Sequence, residues 1–135
     1  MDGPHMDPQH ETFLRDHSLA VMATGRADGS PQQSMVMYAV DDDDRILISA
    51  KAWTAKWRNA RRQPRVSLTV TDGRVHLVVY GTAEGIDADP ERAELTADVI
   101  GALGDRPDPS TLTEFLERDQ RVVLRITPEK VLFHE

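Results

Sequence analysis

The run KAWTAKWRNARRQPR, residues 51–65, holds Lys51, Lys56, Arg58, Arg61, Arg62 and Arg65 and no acid. It carries six of the chain's 16 bases, in a protein whose 23 acids set a formal charge of −7. So much positive charge in one stretch of an acidic chain points to an anionic ligand. The segment follows the strand-like run RILISA (45–50) and reads as a helix of about two to three turns. The helix must end before Pro64, because the residue preceding a proline is pushed out of the helical region. A strand–loop–helix order puts Ser49, Thr54 and the first-turn N–H groups where hydrogen bonds and the helix dipole hold a phosphate. Lys56 supplies a point charge there and an arginine a bidentate fork. The pattern is not a nucleotide P-loop, because Gly-x-x-x-x-Gly-Lys-Ser/Thr is absent. Any single arginine has a second reading as a solvated partner for the many carboxylates. Trp53 and Trp57, four apart with Ala60 continuing the face, read either as core anchors or as part of the site.

Other chemistry is sparse. The chain has no cysteine, which excludes disulfides, thiolate metal sites and cysteine nucleophiles. His10, His17, His76 and His134 show no metal-binding spacing. His76 alternates with Val75 and Leu77 and reads first as an interior or interface residue. No Gly-x-Ser-x-Gly elbow exists. Asp41 to Asp44 read as the solvated tip of a hairpin.

These residues need a scaffold. At 135 residues the chain is expected to be one domain spanning 6–135. Residues 1–5 read as a cloning remnant, with Met6 as the native start. The polar first 17 residues lack the apolar core of a secretion signal, and no run is long enough to span a membrane. A cytoplasmic location is the resulting expectation. The net negative charge argues against nucleic-acid and anionic-membrane partners.

Along the chain, TFLRDH reads as a short helix ending near His17. SLAVMAT, QQSMVMYAV and RILISA read as a three-strand meander joined by hairpins, with Ser34, Val36 and Tyr38 on one face and Met35, Met37 and Ala39 on the other. RVSLTVT, an Asp72-Gly73 hairpin and RVHLVVYGTAEGI follow, with a bulge expected at Gly81. A helix capped by Asp89 with Pro90 at its first position comes next, stopping near Gly104. A second helix is capped by Ser110. QRVVLRI and KVLFH close the chain as two strands around a Thr127-Pro128 turn. About seven short, mostly antiparallel strands with inserted helices favour a small barrel.

The ordered set SLAVMATGRADGSPQQSMVMY, a strand ending ISA, AKWRNARRQPRVSL and the GTAE bulge resembles the split-barrel relatives of pyridoxamine 5′-phosphate oxidase. The likeness runs from about Phe13 to Phe133 and is strongest to the branch that uses the deazaflavin coenzyme F420. It implies a mainly β, six-to-seven-stranded antiparallel split β-barrel of the FMN-binding type. It also implies a homodimer with two cofactor clefts at its interface. By position, the phosphate of the cofactor would be held by Ser49, Ala50, Thr54 and Lys56, supported by Asn59 and Arg62. Gln32, Gln33, Ser34 and Met35 would line the ring, and the partner would add residues from 74–80, with His76 a candidate. The implied activity is hydride transfer from reduced coenzyme F420 to a small organic acceptor, with FMN chemistry or non-catalytic cofactor binding as alternatives. The cofactor carries such chemistry, so no acid–base or nucleophile motif is required. The sequence departs from the family pattern at Thr54, where an arginine is usual, at Trp53 and Trp57, where small or polar residues are usual, at Met35 and at Gln63.

Overall fold

In the computed structural model, which describes residues 6–135, seven strands form one antiparallel sheet. The chain runs α1 (Pro8–Arg15), β1 (Leu19–Gly25), β2 (Pro31–Met37), β3 (Ala39–Val40), β4 (Ile46–Lys51), α2 (Ala55–Arg62), β5 (Arg65–Asp72) and β6 (Val75–Ile86). It ends with α3 (Glu91–Gly101), a 3-10 turn (Pro109–Thr111), α4 (Thr113–Arg118) and β7 (Arg121–His134). The reading of residues 1–5 as a cloning remnant lies outside the described residues.

The strand order is β2-β1-β5-β6-β7-β4-β3. β2 and β3 are consecutive in the chain yet stand at opposite edges of the sheet, so the sheet curls until the chain itself joins them at Tyr38. The expected three-strand meander is therefore two separate hairpins. β1 pairs with β2 from Leu19↔Met37 to Gly25↔Pro31, and β3 pairs with β4 at Ala39↔Leu47. β4 takes β7 as its other neighbour, not β2. The expected alternation holds: Val36 and Tyr38 are buried, whereas Met35 and Met37 are exposed.

Alternation fills the concave face. Met22, Ile46, Ile48, Leu68, Val70, Leu77, Val79, Leu124 and Ile126 form its core. α1 seals one end, where the Tyr38 hydroxyl donates to the Leu14 carbonyl at 2.6 Å. Burial pushes the pKa of that phenol well up. On the convex face, α3 packs Val99 and Leu95 against Ala39 and Leu47. α3 and α4 thus cover the β3-β4 side of the outer surface together with the first part of β7.

Three boundaries differ from expectation. β7 is a single strand through Thr127-Pro128, not two. The register shifts between Tyr80 and Gly81, so that Tyr80 faces Lys130 and Gly81 faces Pro128. This is the bulge expected at Gly81, and it accommodates a proline inside a strand, since bulges tolerate a missing ladder donor. α3 begins at Glu91 with Pro90 as the boundary residue and ends at Gly101. Asp89 still accepts from the Ala93 N–H at 3.2 Å. Ser110 is not a cap. Asp108 accepts from its N–H at 3.0 Å, and α4 starts only at Thr113.

Candidate functional site

A cleft of about 340 Å³ opens on the convex side, where β2, β4, the start of α2, α3, α4 and the start of β7 converge. Ser49, Lys56, Thr96 and Arg121 give it a polar floor. Met35, Met37, Val99, Ile100, Leu103 and Phe115 supply apolar walls. Among the described residues, no carboxylate and no histidine lines it.

The floor is electrostatically incomplete. Lys56 stands in the first turn of α2 and has no hydrogen bond or ion pair among the described residues. Burial lowers its pKa from the ordinary lysine value, and the charge of Arg121 lowers it further. Arg121 opens β7, opposite Lys51 in the ladder. Its Nε is fully buried without a hydrogen-bond partner among the described residues. A buried N–H left unpaired costs about 1–3 kcal/mol. Two adjacent cations and an unpaired guanidinium N–H therefore fit an anion at this point.

Of the eleven positions singled out from the sequence, the structure brings Met35, Ser49 and Lys56 to this cleft. Ala50 is buried, with its side chain in the core. Ser34 faces inward, and its hydroxyl is buried without a partner. Gln33 is exposed on β2. The Thr54 hydroxyl turns back to donate to the Lys51 carbonyl at 2.7 Å.

Gln32, Asn59 and Arg62 belong to a different network. Asn59 Nδ2 donates to Thr24 Oγ1 at 3.1 Å, and Thr24 Oγ1 donates to Gln32 Oε1 at 2.7 Å. Arg62 Nη2 donates to Asn59 Oδ1 at 2.9 Å and to the Gly25 carbonyl at 2.7 Å. These bonds fasten α2 to β1 and β2. His76 is remote from the cleft of its own chain and stacks on His134, with ring centroids 4.7 Å apart.

The two tryptophans separate. Trp57 is 4% exposed and seated on Gly85, where an added Cβ would lie 2.9 Å from the ring. Trp53 is 61% exposed, outside the helix, with Lys51 Nζ 5.6 Å from its ring centroid. Neither lines the cleft. The sequence reading missed Arg121, Thr96, Ile100, Leu103 and Phe115. They come from the far end of the chain, and only the β4–β7 pairing carries them to Lys56.

A curled seven-stranded antiparallel sheet whose two edges are joined by the chain at Tyr38 defines a split barrel. The pyridoxamine 5′-phosphate oxidase family model matches residues 6–135, and the chain belongs to that family. Among solved structures, the conserved hypothetical protein Rv2991 from Mycobacterium tuberculosis is 23% identical, with a TM-score of 0.81 over 99% of this chain and 87% of that one. An F420 reductase is 24% identical, with a TM-score of 0.68 over 94% of this chain and 98% of the other. The heme storage protein HutZ from Vibrio cholerae is 19% identical, with a TM-score of 0.70 over 96% and 94%. At these identities the likeness is one of fold. No helix among the described residues is long and apolar enough to cross a membrane.

Proposed function

We propose that this protein is a cytoplasmic oxidoreductase that binds a deazaflavin cofactor of the coenzyme F420 type and reduces a small organic acceptor, working as a homodimer. One observation carries the reading: a cleft that joins two uncompensated cations to an apolar wall. That combination suits a ligand with an anionic arm and a flat aromatic body. Lys56 and Arg121, with the Ser49 hydroxyl, would hold the anionic arm. Met35, Met37, Ile100, Leu103 and Phe115 would lie along the ring and exclude water from it. Bound there, the cofactor supplies hydride-transfer chemistry; the chain's residues bind, orient and shield.

FMN presents the same combination of phosphate and ring and is the second reading. Heme is less well served, because none of the described residues that line the cleft is a histidine. A nucleic-acid partner is not part of the proposal, since the basic segment is dispersed. Arg62 is spent on Asn59 and Gly25, Arg61 faces Asp87 at 3.6 Å, and Lys56 turns into the cleft.

Fluorescence titration with coenzyme F420 and, separately, with FMN tests the proposal, using Lys56→Ala as the control. Saturable binding of the deazaflavin, weakened about 10-fold or more in the variant, is expected from loss of a charged contact. No binding of either cofactor would overturn the reading. Undiminished binding to the variant would move the phosphate elsewhere.

A further inference from the structure

We propose that Arg121 is the second half of a two-cation clamp with Lys56, closing on the anionic group of the ligand that occupies this cleft. The inference rests on the cofactor reading above and adds a binding residue that the basic segment does not contain. Within that segment the Thr54 hydroxyl is engaged with the Lys51 carbonyl, and Lys56 alone reaches the cleft. A guanidinium is supplied in space by a strand that begins about 65 residues further along the chain.

Three features converge on Arg121. Its Nε is buried and unpaired. It lines the same cleft as Lys56, and its charge adds to the burial that lowers the pKa of that lysine. Two acids beside it are already engaged: Asp89 and Glu117 each accept from Arg92 Nη2 at 2.8 Å, and Arg92 Nη1 in turn donates to the Arg121 carbonyl at 3.3 Å. Arg92 thus ties down the backbone of Arg121 and takes up the acids, leaving the Arg121 head facing the cleft. Lys51, its ladder partner, adds a third positive charge nearby. A guanidinium fork gives geometry that an ammonium lacks, and so favours a phosphate or phosphodiester oxygen pair over a single point acceptor.

The test compares Arg121→Met, Arg121→Lys and Lys56→Met with an Arg58→Met control, which removes an exposed charge from the outer side of the same helix. Four ligands are titrated: coenzyme F420, its deazaflavin chromophore without the phosphodiester arm, FMN and inorganic pyrophosphate. Arg121→Met is expected to weaken the phosphate-bearing ligands about 10- to 100-fold and to leave the phosphate-free chromophore within about 2-fold. Arg121→Lys should fall between, and Arg58→Met should match wild type. In ligand-free protein, the midpoint of Lys56 amine labelling against pH should rise in Arg121→Met, because a neighbouring positive charge has gone. Equal weakening of both chromophore forms, or an unmoved Lys56 midpoint, would overturn the clamp. If wild type binds neither cofactor, the cofactor reading falls, and the clamp stands or falls on pyrophosphate: binding lost in both Arg121→Met and Lys56→Met supports it, whereas no wild-type binding overturns it. Should Arg121→Met fail to fold, the Arg121→Lys and Lys56→Met titrations decide: a loss confined to the phosphate-bearing ligands supports the clamp, and an Arg121→Lys protein with wild-type affinity for them overturns it.

Discussion

Asn59 and Lys56 show how much one turn of helix can separate. They are three residues apart, a spacing that puts side chains on neighbouring faces. The family resemblance assigned both to one ligand. In the fold, Lys56 points to the cleft, while Asn59 is buried against Thr24 and Arg62. Spacing fixes an angle about a helix axis, but not which neighbour the side chain meets. Replacing Asn59 by Ala is expected to destabilise the protein by about 1–3 kcal/mol, because Thr24 Oγ1 loses its donor and Arg62 Nη2 one of its acceptors. It should leave ligand affinity of the folded fraction unchanged. Denaturant unfolding beside a cofactor titration checks this, and the reverse pattern would restore Asn59 to the site. His17 carries a second prediction at this scale. Its pKa is raised chiefly by the Nδ1 bond to the Phe13 carbonyl at 2.7 Å and further by Asp72, 3.2 Å from Nε2. A raised folded pKa means that this contribution to stability is complete below the unfolded histidine value, about 6.5. It is lost as pH rises through the folded value. Unfolding midpoints measured from pH 5 to 9 should fall across that window, and the fall should be shallower in Asp72→Asn.

At the scale of elements, local punctuation was legible and long-range pairing was not. The hairpin at Asp72-Gly73 announced itself, and Gly73 does adopt positive φ, at 62°. The bulge at Gly81 was legible too. Its counterpart was not: Pro128 read as a turn because nothing local shows that Gly81 lies opposite it. A Cβ added at Gly81 would meet the Thr127 carbonyl oxygen at 2.5 Å. Gly81→Ala should therefore cost about 1–3 kcal/mol, the range for forcing extra atoms into a packed site. Thermal melting gives the answer, and a neutral result would mean that the bulge relaxes freely. The α3–α4 cap is the converse case. Its helices were expected, but not that Ile100, Leu103 and Phe115 would overhang Lys56, because that depends on β7 reaching β4. Leu103 is 51% exposed, so Leu103→Asp should change stability by only about 0.5 kcal/mol. It should weaken the ring-bearing ligands several-fold. An unchanged affinity in the same titration would remove α3 from the binding wall.

The whole molecule leaves one face bare. On the convex side of β2, β1, β5, β6 and β7, ladder partners align Met35, Val21, Thr69, Val78 and Leu132 in one row. Met37 and Leu19 lie beside it. Directly paired residues share a face of a sheet, so this is one continuous surface. Met35, Met37, Leu19, Tyr80 and Leu132 are all well exposed on it, with Met35 at 65%. Contiguous apolar surface of this kind marks an interaction site. The proposed occupant is a second copy of the chain, because Met35 and Met37 also line the cleft: whatever covers the face would also complete the ligand site. Sedimentation or light scattering at micromolar concentration should give a dimer for wild type. Val21→Lys, a charge at the centre of the apolar row, should give a monomer with its fold retained by circular dichroism. Because each cleft would then lose its second wall, cofactor affinity should drop at least 10-fold in the monomeric variant, while pyrophosphate, held at the floor by Lys56 and Arg121, should bind nearly as before. A wild-type protein that stays monomeric with cofactor bound would end the shared-cleft proposal. A monomeric Val21→Lys with full cofactor affinity would separate the dimer from the site.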